Sequence, residues 1–151
     1  MTRARSATMR HFLALEDQKG RRIVQLDGTA YSLGRDPNSA IILEHESISR
    51  QHATLMRVPV SAMDIRYQIM DGNLTGTPSL NGITVNGERC STHELKDGDE
   101  IIFGGAVSAR YYRRPLSDQE FSDVAEQVVM RSIRLEAVGG ETTVLFDPSG
   151  E

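Results

Sequence analysis

Tyr31-Ser32-Leu33-Gly34-Arg35-Asp36-Pro37-Asn38, followed by Ile48-Ser49-Arg50-Gln51-His52-Ala53-Thr54-Leu55-Met56, decides the fold. In both stretches a short run suited to a pleated strand abuts a dense group of loop formers. Ala30–Leu33 breaks at Gly34, and Asp36-Pro37-Asn38 supplies a fixed φ and side chains that fold back on their own backbone. The second stretch inverts the order, with a polar loop feeding Ala53–Arg57. The same rhythm continues outward. Further candidate strands are His11–Glu16, Arg21–Leu26, Ile41–Leu43, Arg66–Met70, Ile83–Val85, Glu100–Phe103 and Val107–Tyr112. Asp-Gly at 27–28, 71–72 and 97–98, Asn-Gly at 81–82 and 86–87, and Gly-Gly at 104–105 punctuate them. Short strands with turn signals at this spacing predict an all-β antiparallel sandwich or barrel. A parallel sheet would need helical crossovers, and no segment before Pro115 is long and periodic enough to supply one.

The style changes at Pro115. Ser117 followed by Glu120 forms a capping-box pattern, with Leu116 and Phe121 placed as a hydrophobic staple. Phe121, Val124, Ala125 and Val128 recur at helical spacing and predict an amphipathic helix from about Asp118 to Leu135. The expected organisation is therefore a disordered basic tail over 1–10, one β domain over 11–114, a helical segment over 115–138 and a flexible tail over 139–151.

Composition narrows the function classes. The 151 residues are 38% hydrophobic and contain no Trp, so one mainly aliphatic core is expected. The net charge of −4 divides into +4 over residues 1–35 and −8 over the rest. Such a chain lacks the global basic character of a nucleic-acid binder, so any anion must be held by a local site. Cys90 is the single cysteine, which excludes an intrachain disulfide and a cysteine-based zinc site. Phe12-Leu13-Ala14-Leu15 is too short for a signal or membrane segment. A soluble, cytoplasmic protein with no cofactor, no metal, no membrane partner and no nucleic-acid partner is expected. Enzymatic motifs are missing as well. His11, His45, His52 and His93 are scattered, and no P-loop, dinucleotide fingerprint or nucleophile elbow is present.

Three loop clusters remain that bear chemistry. Arg35 leaves a strand end, where its planar fork of donors suits phosphate oxygens; a solvated surface arginine is the other reading. Ser49 and Arg50 offer a hydroxyl, loop N–H groups and a cation, as an anion-binding nest would. His52 reads as a hydrogen-bonded structural residue, since no acid partner for a Ser/His pair is evident. Asn81, inside Asp71–Gly87, carries an amide able to bond the backbone of an extended peptide.

The order Gly-Arg, then Ser-x-x-His, then Asn-Gly-x-x-x-Asn-Gly resembles the forkhead-associated (FHA) domain family across about residues 11–113. The resemblance implies an eleven-stranded β-sandwich whose loops at one end grip a phosphothreonine in an extended peptide. It implies that Arg35 and Ser49 bind phosphate, that Arg50 assists and that Asn81 holds peptide backbone. Gly34, His52 and Gly82 match the family's architectural positions. It further implies an adaptor in Ser/Thr-kinase signalling whose partner is a phosphothreonine-containing protein, rather than an enzyme. Two departures stand out. Leu80 occupies the place where a Thr usually donates its hydroxyl to the phosphate, and the Asp71–Ser79 loop is long. Ser79, Thr75 and Thr77 are the candidates to replace the missing donor. Without it, a phosphate-independent scaffold on the same fold is the alternative. Thr142 and Thr143, after Gly139-Gly140, resemble a kinase-target segment of some bacterial relatives and are candidate phosphoacceptors for self-binding; a segment that packs as a terminal strand or stays disordered is the other reading.

Overall fold

Phe12, Leu13 and Leu15 are all buried in β1 (Thr8–Asp17), which breaks the simple alternation of a half-buried strand. Leu13 and Leu15 point inward, whereas Phe12 lies on the opposite face and is buried because a helix covers it. That arrangement emerges from the computed structural model, which describes residues 7–62 and 64–139, with side chains through 128. The remaining strands are β2 (Gly20–Leu26), β3 (Ala30–Gly34), β4 (Ile41–Ile42), β5 (Ala53–Ser61), β6 (Asp64–Asp71), β7 (Ile83–Val85), β8 (Glu88–Cys90), β9 (Thr92–Glu94), β10 (Glu100–Phe103) and β11 (Val107–Leu116). One sheet runs β2-β1-β11-β10-β7-β8 and the other β4-β3-β5-β6-β9. All pairings are antiparallel except the two-residue contact of β3 with β4. The eleven-stranded sandwich expected from the sequence is the observed fold.

Leu33, Leu55, Ile69, Ile83, Ile101 and Phe103 fill the space between the sheets with Leu13 and Leu15. Full burial of one such side chain contributes about 1.5–3 kcal/mol. The core is not purely aliphatic. Tyr67 and Tyr111 are both buried, and their hydroxyls find the partners burial demands: Tyr67 donates to the Gly28 carbonyl at 2.8 Å, and Tyr111 meets His11 Nδ1 at 2.6 Å. Burial pushes the Tyr67 hydroxyl up to about 12 and raises Tyr111 as well.

Several boundaries differ from expectation. Thr8–Arg10 belong to β1 rather than to a tail, because they pair with Leu116, Pro115 and Arg114 of a β11 longer than predicted. Pro115-Leu116 accordingly ends a strand instead of opening the helical segment. The helix α1 (Asp118–Gly139) begins as read from the capping box. Ser117 N–H donates to Glu120 Oε1 at 2.8 Å, and Glu120 N–H donates to Ser117 Oγ at 3.1 Å. Phe121 packs edge-on against Phe12 with ring centroids 5.2 Å apart, and Arg10 lies over the Phe121 ring. One turn pair further on, Val128 meets the surface formed by Glu16, Arg21, Ser108 and Arg110. The helix thus starts beside Arg10 and runs back over β2 and β11, covering Phe12 of β1, toward the end where β10 turns into β11.

Candidate functional site

The ends of β3 and β6 and the beginnings of β5 and β7 lie at one end of the sandwich, with the β10–β11 turn. Gly34 explains how tightly these pieces fit. A Cβ on Gly34 would lie 1.9 Å from the Arg50 carbonyl oxygen, so only glycine lets β3 press against the Ser49–Arg50 backbone. Two N–H donors close that contact: Arg35 to the Ser49 carbonyl at 3.0 Å and Asp36 to the Arg50 carbonyl at 3.3 Å. The Arg35 side chain is also held, with Nε–H donating to the Ile48 carbonyl at 2.9 Å. Pinning through Nε leaves both terminal nitrogens of an exposed guanidinium facing outward as a fork.

His52 joins the loops from beneath and is fully buried. Its Nδ1 accepts from Ser49 N–H and its Nε2 faces the Gly82 carbonyl, each at 2.9 Å. An accepting Nδ1 leaves the proton on Nε2, so the ring is the neutral tautomer donating to Gly82. Gly104 N–H donates to the same carbonyl at 2.9 Å, which ties the β10–β11 turn into the cluster. Gly82 itself has φ +79°, a conformation that favours glycine. The sequence-derived architectural trio of Gly34, His52 and Gly82 therefore converges on one junction.

Above that junction lie the remaining candidates. Ser49 Oγ accepts from Leu80 N–H at 2.9 Å, which orients the hydroxyl and leaves its own proton to donate. Asn81 Nδ2–H donates to the Ser47 carbonyl at 2.8 Å, linking the two loops while its amide oxygen stays at the exposed surface. Arg50 is exposed, and its guanidinium has no partner among the described residues. Arg35, Ser49, Arg50 and Asn81 are thus brought to one rim.

The auxiliary candidates are placed differently. Ser79 is buried; its hydroxyl donates to Asp71 at 2.5 Å and accepts from Gly82 N–H at 2.8 Å, so it braces the loop from inside rather than replacing the missing donor. Thr75 gives its hydroxyl to Asn73 Oδ1 at 2.8 Å, and that same oxygen accepts from the N–H groups of Thr75 and Thr77. Thr77 is exposed, and among the described residues its hydrogen bonds are backbone ones with Asn73, whose N–H donates to the Thr77 carbonyl at 3.0 Å. Leu80 is 85% exposed, so the position that usually supplies a hydroxyl presents an apolar side chain to solvent. Thr142 and Thr143 lie outside the described residues. Sequence reasoning missed Asn73, which organises the long loop, and Arg89, whose guanidinium rests on Gly82. The Asp-Gly-Asn run at 71–73 could have flagged the first, since Asn folds loops back on their own N–H groups. Nothing local could have flagged the second.

A pinned arginine fork, an oriented serine hydroxyl and an asparagine gathered on loops at one end of a sandwich are chemically suited to an anion on an extended peptide. The chain belongs to the FHA domain family, whose model matches residues 31–104. Its fold is similar to the Slr1951 protein from Synechocystis sp., at 39% identity and a TM-score of 0.66, covering 69% of this chain and 98% of that one. It is also similar to an FHA domain solved in a study of phosphothreonine-dependent FHA domain interactions, at 27% identity and a TM-score of 0.58, covering 71% and 99%. The glycogen accumulation regulator GarA of Mycobacterium tuberculosis is 34% identical over 79 residues, covering 52% of this chain and 43% of that protein. The chain spans less than half the length of the curated relatives it matches.

Proposed function

We propose that this chain acts by binding rather than by catalysis, as a phosphothreonine-peptide adaptor downstream of a Ser/Thr kinase. The observation that carries the reading is Arg35: its Nε–H is held by the Ile48 carbonyl, and its terminal donors face out beside Ser49 and Arg50. A phosphate brings about −1.5 to −2 charge and several acceptors to those donors, whereas an unmodified threonine leaves them unpaired. The oriented Ser49 hydroxyl and the Asn81 amide then suit a phosphate oxygen and a peptide backbone. No helix among the described residues is long and apolar enough to cross a membrane.

The test is a titration with a degenerate phosphothreonine peptide pool and its unphosphorylated twin, repeated with Arg35→Ala. Phosphate-dependent binding that falls at least tenfold in the variant is expected, from about 1.5–3 kcal/mol per charge-assisted hydrogen bond. Equal binding of the two pools overturns the reading. It would favour a phosphate-independent scaffold, the alternative supported by the exposed Leu80.

The direction of α1 supports a second element of the proposal. Because the helix runs toward the end that carries the site, Thr142 or Thr143, once phosphorylated, becomes a tethered ligand that competes with outside phosphopeptides. A tether of this kind supplies an effective concentration near roughly millimolar. Unchanged affinity for an outside phosphopeptide after phosphorylation of the tail would sink this element and leave the adaptor reading standing.

A further inference from the structure

Arg89 stands outside everything assigned so far. It lies in β8, opposite Thr84 of β7, on the outward face: Ile83 and Val85 point into the core, so Thr84 and its partner point away from it. From there the side chain folds back along the sheet to Gly82. Its Nη2, Cζ and Nε lie 2.6, 2.7 and 2.9 Å from the place a Cβ on Gly82 would occupy. Three guanidinium atoms at nearly equal distance mean that the planar group rests face-on over the glycine. Glycine is favoured here by its positive φ of +79°, and the absence of a side chain gives the arginine a seat.

The charge of Arg89 is unspent. The residue is exposed, and among the described residues it makes no hydrogen bond, ion pair or ring contact. Elsewhere on this chain arginines pair with acids: Arg22 with Asp17, Arg66 with Asp64 and Glu94, Arg113 with Asp64. An unpaired guanidinium stacked one residue beyond Asn81 is set beside the path of any peptide whose backbone that asparagine holds. Stacking also removes part of the rotamer freedom that a long side chain would otherwise lose on binding.

We propose that Arg89 is a specificity-determining residue that reads a carboxylate, an Asp or Glu side chain, near the phosphothreonine of the bound peptide. The planar fork fits a carboxylate through two parallel hydrogen bonds. The proposal rests on the phosphopeptide reading above and deepens it.

The experiment uses phosphothreonine peptides with alanine flanks, in which a single Glu is walked through the positions on both sides. Wild type, Arg89→Ala and Arg89→Glu are titrated with each. One Glu position is expected to bind wild type about three- to fivefold more tightly than the all-alanine peptide, the scale of an exposed ion pair. That preference vanishes in Arg89→Ala and reverses in Arg89→Glu, which binds the Glu peptide more weakly than the all-alanine one, while the all-alanine phosphopeptide binds wild type and Arg89→Ala alike. A flat Glu walk, or a preference that survives Arg89→Ala, overturns the proposal and leaves the adaptor reading intact. Equal weakening of every peptide by Arg89→Ala also overturns it, since that marks a prop for the Gly82 loop. Phosphopeptides that bind no better than their unphosphorylated twins overturn the adaptor reading itself, and the proposal with it.

Discussion

The loop rim at one end of the sandwich and the opposite end of it treat their cations differently. At the end where β5 turns into β6, cations are neutralised within the molecule. Asp64 receives Arg113 at 2.7 Å and Arg66 at 2.9 Å, Arg114 meets Asp97 at 3.2 Å, and Arg10 pairs with Asp118. Hydrogen bonding from Arg66 is the largest influence on Asp64 and holds its carboxyl below the usual range. At the other end Arg22 still pairs with Asp17 on the β1–β2 turn, but on the rim Arg35 is fixed only through Nε, and Arg50 and Arg89 have no acidic partner among the described residues. A fold gains little from exposed ion pairs, so the pairing at one end is modest support. On the proposed reading, the donors left unpaired on the rim are the ones an anion would satisfy.

Substitutions can break that contrast. The largest effect is expected for Gly34→Ala, which forces a methyl into the Arg50 carbonyl and must separate β3 from the Ser49 loop. Phosphopeptide binding should be lost altogether and stability should fall by about 3 kcal/mol, read from a peptide titration and a urea melt. Stability unchanged would mean that the loops yield, and that the site is less rigid than its contacts imply. Leu80→Thr should sharpen the contrast by adding one more donor to the ligand end. A gain of about tenfold in phosphopeptide affinity, with no gain for the unphosphorylated twin, follows from one charge-assisted hydrogen bond.

The smallest effect concerns His11, at the neutralised end. Burial, then the charge of Arg113, lower its pKa below 6.5, and Asp64 opposes them weakly. The folded state therefore binds a proton less readily than the unfolded state. Stability from this residue is complete above the unfolded value and is lost as pH falls through the folded one. Thermal midpoints measured from about pH 8 down to about pH 5 should decline, and His11→Gln should flatten that limb. The pH dependence of phosphopeptide affinity, set at the opposite end by the phosphate's own second ionisation near about pH 6, should be the same in wild type and His11→Gln.

Much of this was legible in the sequence where local chemistry decides the outcome. Asn86-Gly87 announced a hairpin, and both residues have positive φ, +52° and +87°, between paired Val85 and Glu88. Ser117 and Glu120 announced the helix start. The strands β8 and β9 were invisible because Glu88-Arg89-Cys90 and Thr92-His93-Glu94 are short, polar and without apolar alternation; pairing with β7 and β6 makes them strands. The extension of β5 through Pro59 was equally hidden, since proline argues against a strand unless a register shift accommodates it, as one does between Pro59 and Ser61. Within the site, Arg35, Ser49, His52 and Asn81 could be read because their motifs are contiguous. The position of Arg89 could not, because it reaches Gly82 only through the return of the chain in the next strand. Ser79 misled for a related reason: a hydroxyl in a loop looks available until the fold shows Asp71 and Gly82 already holding it.

The course of α1 has one more consequence. The first described strand begins at the neutralised pole, and the helix starts there too, but it travels back over Phe12 toward the pole that carries the loops. The polypeptide thus enters at one pole and departs toward the other, like a cord through a bead. Thr8 thereby stays at the far pole, whereas Gly139, the last described residue, is carried toward the pole of the candidate site. An affinity tag or a surface anchor belongs on the upstream side, where it leaves that pole clear.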